Sequence, residues 1–598
     1  MSETNLINAT TERRLRFAVL LNEQQLTRWD LECVSVLAKS EVARLEVLVI
    51  AGRPWWSHLV SKCDKILRHI LWFAFAATAG RPLSQERTGR YPIPVATIRV
   101  SKTATHGNCL GLSSPDVERL LRYQLDFVLY FGADILNADI PQIAKYGVWA
   151  FCHSGRKPHS ANPPGFWDMF YREPITCIGL RRFSPQDPDQ GAPLREAWVS
   201  VIPHSYARTV DAARSASADF PLLATQDILG GRNRGPVSDY LSADHSIASL
   251  PSNTTMFLFA TQVLCAMAIA LIRALFTRVQ WGVGIISSLD LNPRAKTELK
   301  SVRWLPDDGR NSFGMADPFF RLSGDDIVVL AETMTLKEQR GVIVASRVNR
   351  ERAVSVGIAI EEKGVHLSYP YLFEWNGQLY CVPEQWESGA IVLYRAIDFP
   401  CRWERAGTIL SGVNAADPTL FRFGSHWWLA YTEVRPRLFR SGRRRRTPLD
   451  SVSRLTLWYA SEPTGPWVPH ALNPVKIDPR SSRGAGSPFY YHGMLIRPTQ
   501  DCSVDYGAKI VFNRIVTLTP TQFEETSIGE LRPDPASPYA GGVHTISCEG
   551  NIAVIDGWRQ VFAPMAWLTK KRGAHRERKV TPFELHAVNP RRPLEKAE

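Results

Sequence analysis

A pair of carboxylates is written twice in the second half of this chain. Asp317 sits in GMADPFF, and Glu332 follows fifteen residues later; Asp417 sits in AADPTLF, and Glu433 follows sixteen residues later. A third segment, SYPYLFEWNGQLYCVPEQ, has Tyr369 at the Asp position and Glu384 at the Glu position. Two carboxyl groups facing one another across a cleft suit glycosidic-bond chemistry, in which one is held protonated as an acid and the other stays ionised as base or nucleophile. Tyr369, Trp375, Trp386 and Tyr431, in or beside the same segments, are suited to stack on sugar faces. The Asp positions equally suit turn-fixing without chemistry, because Asp side chains bond the backbone of their own turns.

The elements that must position these groups are hairpins. ADPFFRLSGDDIVVLAET, SYPYLFEWNGQLYCVPEQ, ADPTLFRFGSHWWLAYTE, GSPFYYHGMLIRPTQD and GVHTISCEGNIAVID each run from a polar start through an apolar strand, a Gly, Asp, Asn or Ser turn and a second apolar strand. They end in Glu332, Glu384, Glu433, Gln500 with Asp501, and Asp556. Five such hairpins at regular intervals predict a five-bladed β-propeller, with a long antiparallel sandwich as the alternative. The first residue of one strand and the last of its antiparallel partner share an end of the pair. With the first strand innermost, Asp317 and Glu332, Asp417 and Glu433, and Tyr369 and Glu384 are expected as neighbours in one axial funnel. Asp317 is assigned as base or nucleophile, Glu384 or Glu433 as acid and Asp417 as electrostatic stabiliser. Glu332, Tyr369, Trp386, Arg497, Asp501 and His544 are assigned to substrate binding.

The Asp-Pro starts resemble those of the five-bladed arabinanase and fructosidase glycosidases. Longer stretches (HLSYPYLFEWNGQLYCVPE, LYRAIDFPCRW, GPWVPHALNPV and SSRGAGSPFYYHGMLIRPTQDCSVDYG) resemble the N-terminal domain of plant glucosamine inositolphosphorylceramide transferase over roughly residues 280 to 565. That resemblance implies a glycan or glycolipid context. In the plant protein a separate C-terminal domain carries glycosyl transfer, and Tyr369 stands where a glycosidase has an Asp.

In the first half, RFAVLL, EVLVIAG, DFVLYFG and GVWAFCHS alternate with helical stretches and predict a parallel α/β sheet. No G-x-G-x-x-G follows the first strand, which leaves a dinucleotide site unsupported. The stretch from FGADILNADIP to RRFSPQDPDQG resembles the formyltransferase fold. The resemblance implies a catalytic role for His153, through oxyanion stabilisation, and for Asp189 of Asp189-Gln190-Gly191, through proton transfer from an attacking amine. Phe151 occupies the family's Asn position and cannot donate a hydrogen bond, a loss worth on the order of a hundredfold in rate. Formyl-tetrahydrofolate is the one cofactor the resemblance implies, with Phe151 against it, and no metal is assigned; the ten cysteines show no zinc-type spacing.

The chain has 598 residues and a net charge of +13, which favours anionic partners. RPRLFRSGRRRRTPLD and TKKRGAHRERKV suit an anionic membrane surface better than nucleic acid, since no aromatic-interleaved binding motif accompanies them. MFLFATQVLCAMAIALI, Met256 to Ile272, is uncharged over seventeen residues and reads as a buried or membrane-surface helix in preference to a span. The polar, then basic, N-terminus lacks an apolar leader segment, so the expected location is cytoplasmic, peripheral to the inner face of a membrane. The expected organisation is an α/β formyltransferase-like domain (14–203), a connector with an apolar helix (204–280), a five-bladed propeller (281–568) and a basic tail (569–598). The functional expectation is a carbohydrate-active enzyme of cell-surface glycan or glycolipid synthesis, acting on a glycan, sugar nucleotide or glycolipid by transfer or hydrolysis. The alternatives are an amino-sugar formyl or C1 transferase and a non-catalytic glycan-binding scaffold.

Overall fold

The structure is a computed structural model. It describes residues 13–563 apart from 23–24, 53–66, 89–94, 104–108, 133–134, 137–139, 154–162, 233–249, 288–290, 307–312, 335–339, 350–352 and 440–448. The basic tail and the centre of the arginine-rich loop lie outside the described residues. The chain forms two compact units, one of Met1–Met267 with Arg437–Thr447 and Phe583–Glu598, the other of Ala268–Pro436 with Pro448–Pro582.

The first unit is built on one sheet of β1 (Leu15–Leu21), β2 (Ala43–Gly52), β3 (Ala96–Thr103), β4 (Cys109–Leu112), β5 (Phe127–Tyr130), β6 (Ile135–Leu136), β7 (Val148–His153), β8 (Ile175–Ser184) and β9 (Asp187–Ser200). Its order is β6-β4-β3-β2-β1-β5-β7-β8-β9. β3, β2, β1, β5 and β7 are mutually parallel, and β8 and β9 extend that edge antiparallel. The central runs LRFAVLL and FVLY are buried along nearly their whole length, as a parallel sheet covered on both faces requires.

The helices among the described residues are α1 (Arg28–Ala38), α2 (Ile70–Ala77), α3 (Ser114–Leu121), α4 (Phe166–Phe170), α5 (Tyr206–Ser217), α6 (Phe220–Leu229) and α7 (Asn253–Phe276). α1 starts at a capping box, in which Thr27 Oγ1 accepts from Asp30 N–H and the Asp30 carboxylate accepts from Thr27 N–H. α5 packs on β8 and β9, and α6 on α1 and β9. The expected connector thus begins as part of the α/β unit, because α5 and α6 cover its antiparallel edge.

The second unit is a ring of five sheets, antiparallel throughout except where Lys296–Glu298 runs parallel to Glu530–Arg532 at the edge of the fourth. Blade one is β13 (Met315–Ser323), β14 (Asp326–Met334), β15 (Gly341–Val348) and β16 (Ala353–Ile360). Blade two is β17 (Ser368–Trp375), β18 (Gln378–Glu384), β19 (Ala390–Asp398) and β20 (Arg402–Ser411). Blade three comprises β21 (Ala415–Phe423), β22 (His426–Glu433), β25 (Arg454–Ala460) and β26 (Val468–Pro469), with β27 (Lys476–Ile477) beside β25. A two-stranded piece, β23 (Arg435–Pro436) with β24 (Leu449–Asp450), stands between β22 and β25. Blade four is β28 (Phe489–Tyr491), β29 (Met494–Asp501), β30 (Lys509–Leu518) and β31 (Phe523–Arg532), edged by β11 (Lys296–Glu298).

Blade five closes the ring with both ends of the unit. β32 (Ile546–Glu549) and β33 (Ile552–Phe562) supply the inner strands, and β10 (Thr277–Ser287) and β12 (Arg303–Trp304) the outer ones. β10 and β33 pair without a register break from Thr277–Phe562 to Ser287–Ile552. The five expected hairpins are the inner strand pairs of the five blades.

Candidate functional site

The repeated Asp-Pro sentence has a backbone cause. Asp317, Tyr369 and Asp417 each precede a proline and each adopt positive φ, at 53°, 44° and 51°. The ladder slips at the same place in each blade, between Ala316 and Phe319, Ser368 and Tyr371, and Ala416 and Thr419. A bulge re-aims the side chain it carries. Left-handed backbone is costly for a residue with a Cβ, on the order of 1–3 kcal/mol, and persists only where surroundings hold it. The holding groups come from the preceding blade: Asp556 Oδ2 accepts Asp317 N–H at 3.0 Å, and Glu384 Oε2 accepts Asp417 N–H at 2.9 Å.

Two linked clusters result. In the first, His544 Nδ1 lies 2.5 Å from Asp556 Oδ2, and His544 Nε2 lies 3.7 Å from Asp317 Oδ1. Asp556 Oδ1 accepts the N–H groups of His544 and Thr545 at 2.9 Å each, and Thr545 Oγ1 donates to Asp317 Oδ1 at 2.7 Å. Trp281 stacks on the imidazole at 4.1 Å. Burial alone would depress His544, but Asp556 and Asp317 outweigh it and hold the pKa at about 9. Burial lifts the Asp317 carboxyl; His544 opposes the lift, and neighbouring carboxylates led by Asp417 reinforce it.

In the second cluster, Arg483 grips Asp417 with Nε at 2.6 Å from Oδ2 and Nη2 at 3.1 Å from Oδ1, and reaches Glu384 Oε2 at 3.3 Å. Gln500 Nε2 donates to Asp417 Oδ2 at 2.9 Å. Burial pushes the Asp417 carboxyl up to about 7, against the pull of Arg483 and with the help of Glu384. One guanidinium thus serves two carboxylates. Asp317 is 4% exposed, Glu384 5%, Asp417 1% and His544 2%. Tyr506, 42% exposed, lies edge-on to His544 at 5.4 Å and under the Arg483 guanidinium at 5.0 Å.

The cluster therefore joins Asp317, Glu384, Asp417 and His544 from the sequence reading, and leaves others apart. Glu332, although beside Ala316 in the ladder, meets His366 Nε2 at 3.2 Å. Glu433 pairs with Arg435 and Arg454, both at 3.4 Å. The expected in-blade acid pairs fail because the bulge turns each Asp toward the neighbouring blade's carboxylate. Tyr369 is a buried tie: its hydroxyl accepts Gly486 N–H at 2.9 Å and bonds Thr419 Oγ1 at 3.0 Å. Arg497 is bound to Glu525 at 2.7 Å, Asp501 lies 3.6 Å from Lys509, and Trp386 sits in a single turn after β18.

Sequence reasoning marked Gln500 and Asp556 only as hairpin ends, without a role, and missed Arg483, Thr545, Trp281 and Tyr506. Gly484 and Gly486 beside Arg483 were the available signal. A Cβ on Gly486 would stand 1.8 Å from Ile546 O, so only glycine lets the two blades touch there.

Asp317, His544 and Asp556 each offer a metal-ligand atom, all within 4.8 Å of one another. These groups are already committed to one another and to Thr545 by hydrogen bonds. Chemically, the arrangement sets the Asp317 carboxyl 3.7 Å from an imidazole oriented by Asp556, beside a fixed positive charge.

In the first unit, His153 ends β7, facing Ile178 of β8, while Asp189 lies near the opposite tip of the β8–β9 hairpin, where Ser184 pairs with Asp187. Six residues of strand, roughly 20 Å, separate those levels. The expected His153–Asp189 constellation is not assembled. Burial and the Arg214 charge hold His153 down at about 3. Phe151 packs on Trp29 at 4.5 Å.

A family described as glucosamine inositolphosphorylceramide transferase 1, N-terminal, matches residues 301–534. That range holds Asp317, Glu384, Asp417, Arg483 and Gln500, with His544 and Asp556 beyond it. The glucosamine inositolphosphorylceramide transferase 1 of Oryza sativa subsp. japonica is 32% identical over 218 residues, which are 36% of this chain and 28% of that protein. Its Arabidopsis thaliana counterpart is 32% identical over 218 residues, 36% of this chain and 27% of that protein. The chain thus spans little more than a quarter of the length of these relatives. Among solved structures, the Cellvibrio cellulosa alpha-L-arabinanase complexed with arabinohexaose aligns at 14% identity over 37% of this chain and 79% of that one, with a TM-score of 0.27. Zg3597, a family 117 glycoside hydrolase of Zobellia galactanivorans, aligns at 12% identity over 47% and 91%, with a TM-score of 0.29.

Proposed function

We propose that this chain is a carbohydrate-active protein of cell-surface glycan or glycolipid synthesis whose sugar substrate is handled at the propeller axis. The observation that carries this reading is the meeting of Asp317, His544 and Asp556 with Glu384, Asp417 and Arg483 at one axis. Much of that axis lies in the region similar to the plant transferases. In this reading Asp317, with its raised pKa, exchanges the proton at the sugar oxygen. His544 is its charged partner, Asp556 orients His544, and the Arg483 pair fixes the field that the sugar meets. Glu384 rather than Glu433 completes the acid set, because only Glu384 reaches the cluster. Tyr506 at the exposed edge suits stacking on a sugar face.

The test is thermal shift and turnover with sugar nucleotides, glycan fragments and glycolipid headgroups. A sugar that stabilises wild type and Glu433→Gln but not Asp317→Asn, with turnover reduced at least a hundredfold in Asp317→Asn, is the expected outcome. A sugar whose binding and turnover ignore Asp317 overturns the reading. One observation favours a second reading, glycan binding without turnover: these carboxylates are almost closed off and already hydrogen-bonded. Binding that depends on Asp417 and Arg483, with no product formed from any sugar bound, would select it.

A further inference from the structure

Two helices leave large apolar side chains in the open. α2 reads ILWFAFAA, and Leu67, Ile70, Leu71 and Phe73, in and just before it, are 44–65% exposed. α7 has only Met256 and Phe259 buried, and its most apolar stretch is 11% buried. Of the two expectations for this helix, buried or at a membrane surface, the first is thereby overturned.

The two helices start from one knot. Leu71 N–H donates to Asn253 Oδ1 at 3.1 Å, Asn253 Nδ2 donates to Leu67 O at 2.8 Å, and His69 Nδ1 lies 2.9 Å from Pro251 O. Trp72 and Phe75 pack inward on Phe166, Tyr206 and Phe259, which turns the remaining apolar residues outward.

What covers α7 can be argued from its circumference and length. At 100° per residue, Leu264, Met267, Ile269, Leu271, Ile272 and Phe276 spread over more than half the helix surface, and all are exposed. No Asp, Glu, Lys or Arg occurs from Asn253 to Ile272. A helix lying at a membrane interface keeps a charged face, and α7 has none. A helix apolar all round belongs in a core or in lipid, and its low burial excludes the core. Its 24 residues make about 36 Å, against a hydrocarbon layer of about 30 Å. Basic residues flank the apolar runs: Arg68 and Arg81 around α2, Arg273 in the last turn of α7 and Arg278 beyond it.

We propose that α7 is immersed in the hydrocarbon layer of a lipid bilayer, with α2 entering the same layer beside its first turns. The occupant of the apolar surface is lipid acyl chain, and the flanking arginines meet anionic headgroups.

The test is flotation of the full chain with phosphatidylcholine vesicles, with and without phosphatidylglycerol, followed by washes in concentrated salt and in alkaline carbonate. The expected result is flotation that survives both washes and falls at least tenfold in Ile269→Glu with Ile272→Glu, at positions whose exposure spares the fold. A Leu264→Trp variant gives an independent readout against the eighteen native tryptophans, an added emission relative to wild type that is quenched by lipids brominated on the acyl chain. Release by salt alone would mean headgroup attraction only and overturn the proposal. So would a vesicle-indifferent protein whose self-association is abolished by the two glutamates, which would make a second copy the occupant.

Discussion

Arg483 is the cation on which the axial charges balance, and its removal strands Asp417 and Glu384 in a nearly closed site. Breaking a buried pair from one side costs about 3–5 kcal/mol. Arg483→Ala is expected to lower stability by that order in a denaturant melt, and Arg483→Lys to restore only part of it, since an ammonium cannot grip a carboxylate with two parallel bonds. The same cluster sets a pH dependence. His544, Asp317 and Asp417 all hold their protons more tightly folded than unfolded. Their contribution to stability is complete below the unfolded values and is lost as pH rises through the folded ones, about 7 for Asp417 and about 9 for His544. Melting temperature should therefore fall steadily from mildly acid pH to about 9. His544→Gln should remove the upper part of that fall, and an unchanged profile would mean that His544 is neutral in the fold. Residue types alone exposed Asp317, Glu384 and Asp417 and marked Asp556 as a hairpin end; Arg483, and the role of Asp556, were hidden because their importance lies in which blade they face.

At the scale of elements, the site is made by bulges and by the seams between blades. Tyr369 closes one seam by accepting Gly486 N–H across it. Tyr369→Phe leaves that donor buried and should cost about 1–3 kcal/mol. Gly486→Ala should be far worse than Gly424→Ala. At Gly486 a Cβ meets Ile546 O at 1.8 Å, whereas at Gly424 it meets nothing within 4 Å and adds only the positive-φ strain. Comparable melts for the two alanine variants would refute this account of the blade-four seam. Hairpins were legible because apolar alternation and turn residues are local properties of the chain. The pairing of carboxylates was not legible, because a bulge of one residue decides whether Asp317 turns to Glu332 in its own blade or to Asp556 in the preceding one. In the first unit, the strands were legible for the same local reason. The level at which β8 and β9 turn was not, and it parts His153 from Asp189.

On the scale of the whole molecule, the ring is held shut by strands from both ends of the second unit. The unbroken β10–β33 ladder joins the start of that unit to its close. Removing Ile546 to Phe562 should abolish the cooperative melt of the propeller rather than trim one blade, because blade five keeps only its outer strands and Asp317 loses its backbone partner. A truncated chain that still melts cooperatively would contradict this. The closure also imposes an order in time. Synthesis delivers Asp317 early, Glu384, Asp417 and Arg483 in turn, and His544 with Asp556 only as the final blade emerges. Until that last hairpin is laid down, Asp317 has neither its charged partner His544 nor its backbone clamp Asp556. The fold thus works as a completion check: an interrupted ribosome product carries acidic side chains but no assembled centre.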